Sequence, residues 1–154
     1  MVLCYEMLKD RASRFWPYLN VLPVSFDLLE LWGESEIKEL QDGSREQEVV
    51  TERLFRKANL EELRTILVRH HLRNISKEIV FPLYLWARAV VSTRCFELNL
   101  TMQHVLVPFA DLLNHHIESP TTWTERSGFF VMHTKGGGFE RGTQVYNNYG
   151  GDQT

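Results

Sequence analysis

The chain has 154 residues, 44% of them hydrophobic and 24% charged, a balance that suits one globular domain and excludes disordered, fibrous and collagen-like chains. A formal net charge of -3 gives no general attraction to nucleic acid or to an anionic membrane, so neither is expected as a direct partner. Cys4 and Cys95 lack the C-x-x-C spacing of zinc and redox sites, which points to free thiols in a reducing compartment.

The opening stretch "MVLCYEMLKDRASRF" (1–15) has neither the layout of a signal peptide nor the bias of a transit peptide. No targeting address is legible, and an intracellular protein is expected, cytoplasmic or nuclear before organellar. Its apolar residues recur at helical spacing and predict a first helix, which Pro17 and Pro23 then break into a linker. Ser25 is the predicted N-cap of a helix over "FDLLELW" (26–32) with Gly33 as its stop, and Ser35 caps a short "EIKELQ" (36–41) before Asp42 and Gly43 turn the chain.

Residues 44–72 read as one interrupted helix or two. Asn59 and Glu62 have the spacing of a capping box and favour a fresh start there. Ser76 is the predicted cap of a last helix through "FPLYLWARAVVSTRCF" (81–96), with Pro82 either kinking it or marking its first turn. The apolar face of that helix includes Leu85, Trp86, Ala89, Val90 and Phe96. The apolar stretch "VFPLYLWA" (80–87) is far shorter than the roughly 20 residues of a membrane-spanning helix.

After Asn99 the pattern changes. "HVLVPFA" (104–110) is a short strand, "TTWTERSGFFVMHT" (121–134) two strands split at Ser127 and Gly128, and "GTQVYNNYG" (142–150) a strand ending at glycine, with "KGGGFERG" (135–142) as a turn-rich connector. The class is α+β, with helices first and small strands last.

"ADLLNHH" (110–116) packs a carboxylate, an amide and two imidazoles directly after an apolar run. Taken alone, it reads as a turn whose Asp111, Asn114 and His115 satisfy local backbone groups. Asp111 and His115 also stand at i, i+4 and could share a helical face around a metal, with His116 nearby. No third ligand falls into a recognisable pattern and no H-E-x-x-H is present, so no metal site is expected. Hydrolysis with His115 as general base lacks a G-x-S-x-G elbow for its nucleophile.

Three segments in order give a further reading. "WARAVVSTR" (86–94), "LVPFADLLNH" (106–115) and "GTQVYNNYG" (142–150), with the upstream "SRFWPYLNVLPVSFDLLELWGESEIKEL" (13–40), resemble the SET-domain protein methyltransferases, in the RuBisCO large-subunit methyltransferase-like branch. The resemblance implies irregular small β-sheets with a helical insertion, at about 20–80, before a catalytic segment at about 85–154. It also implies that the chain is an N- and C-terminally incomplete SET domain. The family's early glycine-bearing G-x-G segment is not found in the first part of this sequence, and Gly136, Gly137 and Gly138 come too late to replace it.

The resemblance further implies S-adenosyl-L-methionine as cofactor, gripped by Asn114 and His115, with Asp111 and Arg94 at further cofactor-contacting positions. The chemistry of these side chains suits a zwitterionic ligand: Asn and His supply directional partners and Arg94 a fork of donors for a carboxylate. For Arg94 a solvated charge at a helix end is an equally good reading. The family places its catalytic tyrosine immediately before a glycine, which selects Tyr149. Tyr146, three positions earlier, would point to the opposite face of a continuous strand and reads as core. Phe109, Phe129, Phe130 and Tyr146 are candidates for a substrate channel, with core packing the default for each.

The implied activity is methyl transfer to a lysine of a protein substrate, with histidine as the second choice of acceptor. An interaction module derived from a SET domain, without catalysis and using the helical insertion as its contact surface, is the alternative.

Overall fold

The computed structural model describes residues 1–40, 43–98 and 103–149. Two compact units divide the chain, Met1–Ser92 and Thr93–Thr154.

The first unit is helical. Helix α1 (Val2–Leu8) is followed by a 3-10 turn at Asp10–Ala12 and the short α2 (Trp16–Leu19). The break expected from the prolines begins later than the sequence suggests. Pro17 sits in the first turn of α2, where its missing N–H would have had no helical acceptor in any case. No α-helix forms over 26–32, where only Leu29–Leu31 make a 3-10 turn. Ser25 therefore caps nothing, and Gly33 opens a helix instead of closing one. It is the N-cap of α3 (Glu34–Ile37), and its backbone N–H donates to Glu36 Oε2 at 2.6 Å. Ser35 consequently lies inside α3, and the turn expected at Asp42 lies outside the described residues.

Helix α4 (Gly43–Arg69) runs unbroken for 27 residues through Asn59. The capping-box geometry is not adopted, because no proline or glycine interrupts the chain after Gly43 and one face stays buried across the site. Val49, Leu60 and Leu67 lie on that face at helical spacing. Ion pairs Arg56–Glu52 and Arg64–Glu61 flank that face, with both arginines half-buried. Two arginines also tie α4 to passing backbone: Arg53 donates to the carbonyls of Glu30 and Trp32, and Arg64 Nη2 to the Ile79 carbonyl at 2.9 Å.

Ser76 lies within α5 (Arg73–Glu78), and its hydroxyl donates to the Arg64 carbonyl at 3.4 Å, so it is a buried partner of α4 and not a cap. Helix α6 (Phe81–Arg94) starts with Pro82 in its first turn. Tyr84, Leu85, Ala87, Ala89 and Val90 are buried around much of its circumference, as expected of a helix at the centre of a core. Trp86 is only half-buried.

Among the described residues the second unit holds three two-stranded sheets: β1 (Phe96–Leu98) with β2 (Gln103–Val105), β3 (Asn114–His115) with β6 (Tyr146–Asn147), and β4 (Thr121–Arg126) with β5 (Phe129–Thr134). The β4–β5 hairpin turns at Ser127 and Gly128, both with positive φ (52° and 78°), which is what a two-residue turn matched to the strand twist requires. Phe96, Trp123 and Phe130 pack together, Phe96 edge-on to both rings and the other two stacked with centroids 5.5 Å apart. This aromatic cluster anchors the hairpin to β1. Phe96 thus packs from a strand and not, as expected, from the face of α6.

Candidate functional site

The second unit brings most of the singled-out residues together around the short parallel pair β3–β6. Its register sets Asn114 opposite Tyr146 and His115 opposite Asn147. Neighbouring hydrogen bonds extend this pair beyond its two residues. His116 N–H donates to the Asn147 carbonyl at 3.0 Å, Ser119 Oγ to the Tyr146 carbonyl at 2.7 Å, and Asn148 Nδ2 to the Ile117 carbonyl at 3.1 Å. Such cross-links let so short a pairing hold one register.

Upstream of β3 the chain makes a sharp turn. Pro108 precedes Phe109, which adopts φ 73° and ψ -39°, and a 3-10 turn at Ala110–Leu112 follows. A bulky residue at positive φ is unusual and needs support from its surroundings. Asp111 supplies some of it. Its side chain is 0% exposed, and Arg94 Nη1 reaches both its carbonyl oxygen (3.0 Å) and its Oδ2 (3.4 Å). Arg94, at the end of α6, is therefore not the solvated helix-end charge that was one of its two readings: it clamps the turn that leads into Asn114. Its Nε is buried and has no partner among the described residues, so the guanidinium keeps donor capacity in reserve.

Because the chain leaves the 3-10 turn as a strand, Asp111 and His115 do not share a helical face. The i, i+4 argument for a metal pair fails on backbone conformation. Among the described residues no group of three metal-ligating side chains occurs.

Asn114 is exposed, and its amide makes no side-chain hydrogen bond among the described residues. His115 is also exposed, but its Nδ1 accepts the Tyr149 backbone N–H at 3.1 Å. In the neutral ring the proton then sits on Nε2, which is left as an outward donor. The ring centroids of His115 and Tyr149 lie 5.2 Å apart, and the Tyr149 hydroxyl donates to the Leu113 carbonyl. Tyr149 is 58% exposed. Gly150, used to select this tyrosine, lies outside the described residues.

Tyr146 is half-buried, with its ring 5.5 Å from that of His116. The two tyrosines thus meet different histidines. Strict alternation is not the cause, since β6 ends at Asn147 before Tyr149 is reached. Of the channel candidates, Phe130 packs in the aromatic cluster, whereas Phe109 and Phe129 are 81% and 71% exposed and are not core. Sequence reasoning missed Leu113 and Ser119. A backbone carbonyl acceptor leaves no signature in side-chain pattern, and one serine in a loop is not distinctive.

No protein-family model matches the chain. It is 28% identical to the ribosomal lysine N-methyltransferase set10 of Schizosaccharomyces pombe over 96% of this chain and 27% of that protein. It is 31% identical to protein SET DOMAIN GROUP 40 of Arabidopsis thaliana over 73% of this chain and 23% of that protein. The chain thus spans about a quarter of the length of these curated relatives. Among solved structures, Rubisco LSMT bound to sinefungin and monomethyllysine superposes with a TM-score of 0.72 at 25% identity, over 98% of this chain and 34% of that one. The SET domain of LSMT bound to lysine and AdoHcy gives 0.77 at 22% identity, over 98% and 36%. In sequence and in fold, the chain belongs to the SET-domain family, in the branch of the Rubisco large-subunit methyltransferases.

Proposed function

We propose that this chain carries cofactor-gripping and catalytic segments of an S-adenosylmethionine-dependent methyltransferase acting on a protein lysine, with histidine the less favoured acceptor. The observation that carries the reading is the β3–β6 pairing, which sets Tyr149 against His115 and leaves Asn114 exposed beside them. Relatives named as lysine methyltransferases and neighbours solved with lysine and cofactor-like ligands support it. Within this reading the helical insertion spans about 20–80 and the catalytic segment about 85–154, and the protein works inside the cell.

The site's donors and acceptors fit such a cofactor. Among the described residues Asn114 offers an amide without a side-chain partner, His115 an Nε2–H, and Arg94 a buried Nε without a partner. When bound, the cofactor supplies an electrophilic methyl group, so the protein's task is alignment and protonation state. A lysine ammonium, with a reference pKa of about 10.4, has to lose its proton before its lone pair can attack, and a dry apolar approach favours the neutral amine. Phe109, exposed at the turn that leads into Asn114, is suited to wall that approach. With its own proton given to the Leu113 carbonyl, the Tyr149 oxygen presents lone pairs and can accept an N–H from the incoming amine. His115 holds the backbone of Tyr149, and Arg94 with Asp111 holds the turn that aims Asn114.

Calorimetric titration with S-adenosylmethionine tests the reading. The chain should bind, and Asn114→Ala should weaken binding about 10-fold, the worth of a lost hydrogen bond to a charged ligand, while leaving the melting curve unchanged. Equal affinity in the variant would remove Asn114 from the site.

A further inference from the structure

The first unit contains an open cavity of about 530 Å³ that plays no part in the proposed transfer site. Its floor is apolar, formed by Phe26 and Leu31 from the segment before α3 and by Leu85 and Trp86 from α6. Trp86 presents only carbon there, because its single donor, the indole N–H, is spent on the Pro23 carbonyl at 2.8 Å. Val24 stands at the lip, 93% exposed. The volume is that of a site for a few side chains, not for a folded surface.

Three charged residues also line the cavity, one carboxylate and two cations, so the lining is basic by a single charge. Glu30 shares Arg56 with Glu52: Arg56 Nε stands 3.6 Å from the Glu30 carboxylate while its Nη2 pairs with Glu52. Arg53 donates to the Glu30 and Trp32 carbonyls, which occupy two of its five N–H donors without cancelling its charge. Lys57 is exposed, has no carboxylate partner among the described residues, and sits with Nζ 5.7 Å from the Phe81 ring centroid on the cavity wall. Glu30 thus offsets Arg53 in part, and Lys57 is the lining cation with no carboxylate partner among the described residues at the apolar slot. A neutral apolar occupant would fill the slot and desolvate Lys57 with nothing in return. An occupant with a carboxylate beside its apolar group satisfies both.

We propose that this cavity is a docking site for an acidic, hydrophobic peptide segment of a partner protein, which inserts a leucine or aromatic side chain over Trp86 and sets an adjacent carboxylate on Lys57. The inference draws only on residues of the first unit and stands apart from the methyl-transfer reading. It is tested on the full chain by fluorescence anisotropy. The probe is a short synthetic peptide in which phenylalanine and leucine are flanked by aspartate and glutamate, compared with versions carrying amides or lysines in place of the acids. The acidic peptide should bind roughly 10-fold more tightly than the amide version, with the preference fading as salt is raised. Lys57→Glu, at an exposed position, should keep the native melting curve, lose the acidic peptide and gain the lysine-bearing one. Equal binding of acidic and amide peptides, or no response to Lys57→Glu, would overturn the proposal. So would sedimentation showing that the chain self-associates through this face, sensitive to Lys57→Glu, since a second copy would then be the occupant.

Discussion

The Tyr149 hydroxyl has one proton, and the Leu113 carbonyl takes it. Removing the hydroxyl in Tyr149→Phe deletes a single exposed hydrogen bond, which costs about 1 kcal/mol of stability at most. On the proposed function the larger consequence lies in the reaction. An oxygen that engages the amine mainly as it is being methylated contributes to the transition state more than to binding, so turnover should fall by about 100-fold or more with cofactor affinity unchanged. A radiolabelled methyl-transfer assay run beside the cofactor titration separates the two effects, and unaltered turnover would remove Tyr149 from catalysis. That Asn114, His115 and Tyr149 come near one another was legible because their motifs stand in a recognisable order. The Leu113 carbonyl was not, since a backbone acceptor carries no residue-type signal.

At the scale of elements, local signals lost wherever a longer apolar face overrode them. Asn59 has capping-box spacing to Glu62, yet α4 passes through it because burial of Val49, Leu60 and Leu67 on one face outweighs about 1 kcal/mol of capping preference. Asn59 is thus a poor helix former in a helix interior. Asn59→Ala should stabilise the protein by about 0.5 kcal/mol, whereas loss of a true cap would destabilise it by about 1 kcal/mol. Chemical denaturation distinguishes the signs.

The start of the chain offers a pH test of the same scale. Glu6 receives Lys9 Nζ at 2.7 Å and Ser13 Oγ at 2.6 Å, which hold its pKa below the ordinary glutamate value of 4.5. A lowered folded-state pKa contributes stability that is present above the unfolded value and lost as pH falls through the folded one. Melting temperature should therefore drop below about pH 4.5 in part through Glu6. Glu6→Gln should show a shallower acid limb, and an identical limb would exclude this residue as a contributor.

For the whole molecule, the two units carry one thiol each, which lets their opening be followed separately. Cys4 is 1% exposed in the first unit, and burial pushes its thiol pKa up. Cys95 is half-buried in the second, and burial also raises its pKa, with Glu97 adding to the shift. Both should be less reactive at pH 7 than a free thiol, with rates rising with pH as thiolate forms. Cys95 should label first under native conditions, and Cys4 only through opening of the helical unit, so that denaturant accelerates Cys4 far more. Equal labelling rates, read by mass spectrometry of the peptides, would contradict this arrangement. Among the described residues no helix is long and apolar enough to cross a membrane.

The sequence by itself determined what depends on residue type and short spacing. It set the α+β class, the helix of residues 81–94, the hairpin turning at Ser127 and Gly128, and the membership that the ordered motifs announced. Those features persist because a buried periodic face or a turn with φ above zero is specified within a few residues. Only tertiary structure decided that Gly33 starts a helix, that Ser76 is a buried partner of α4, and that Arg94 clamps Asp111. It also decided that Phe109 and Phe129 stay exposed while Phe130 joins a core. In each case the deciding partner is a backbone group or a side chain distant in sequence, and the free energy of satisfying or burying it outweighs the local preference that sequence reading relies on.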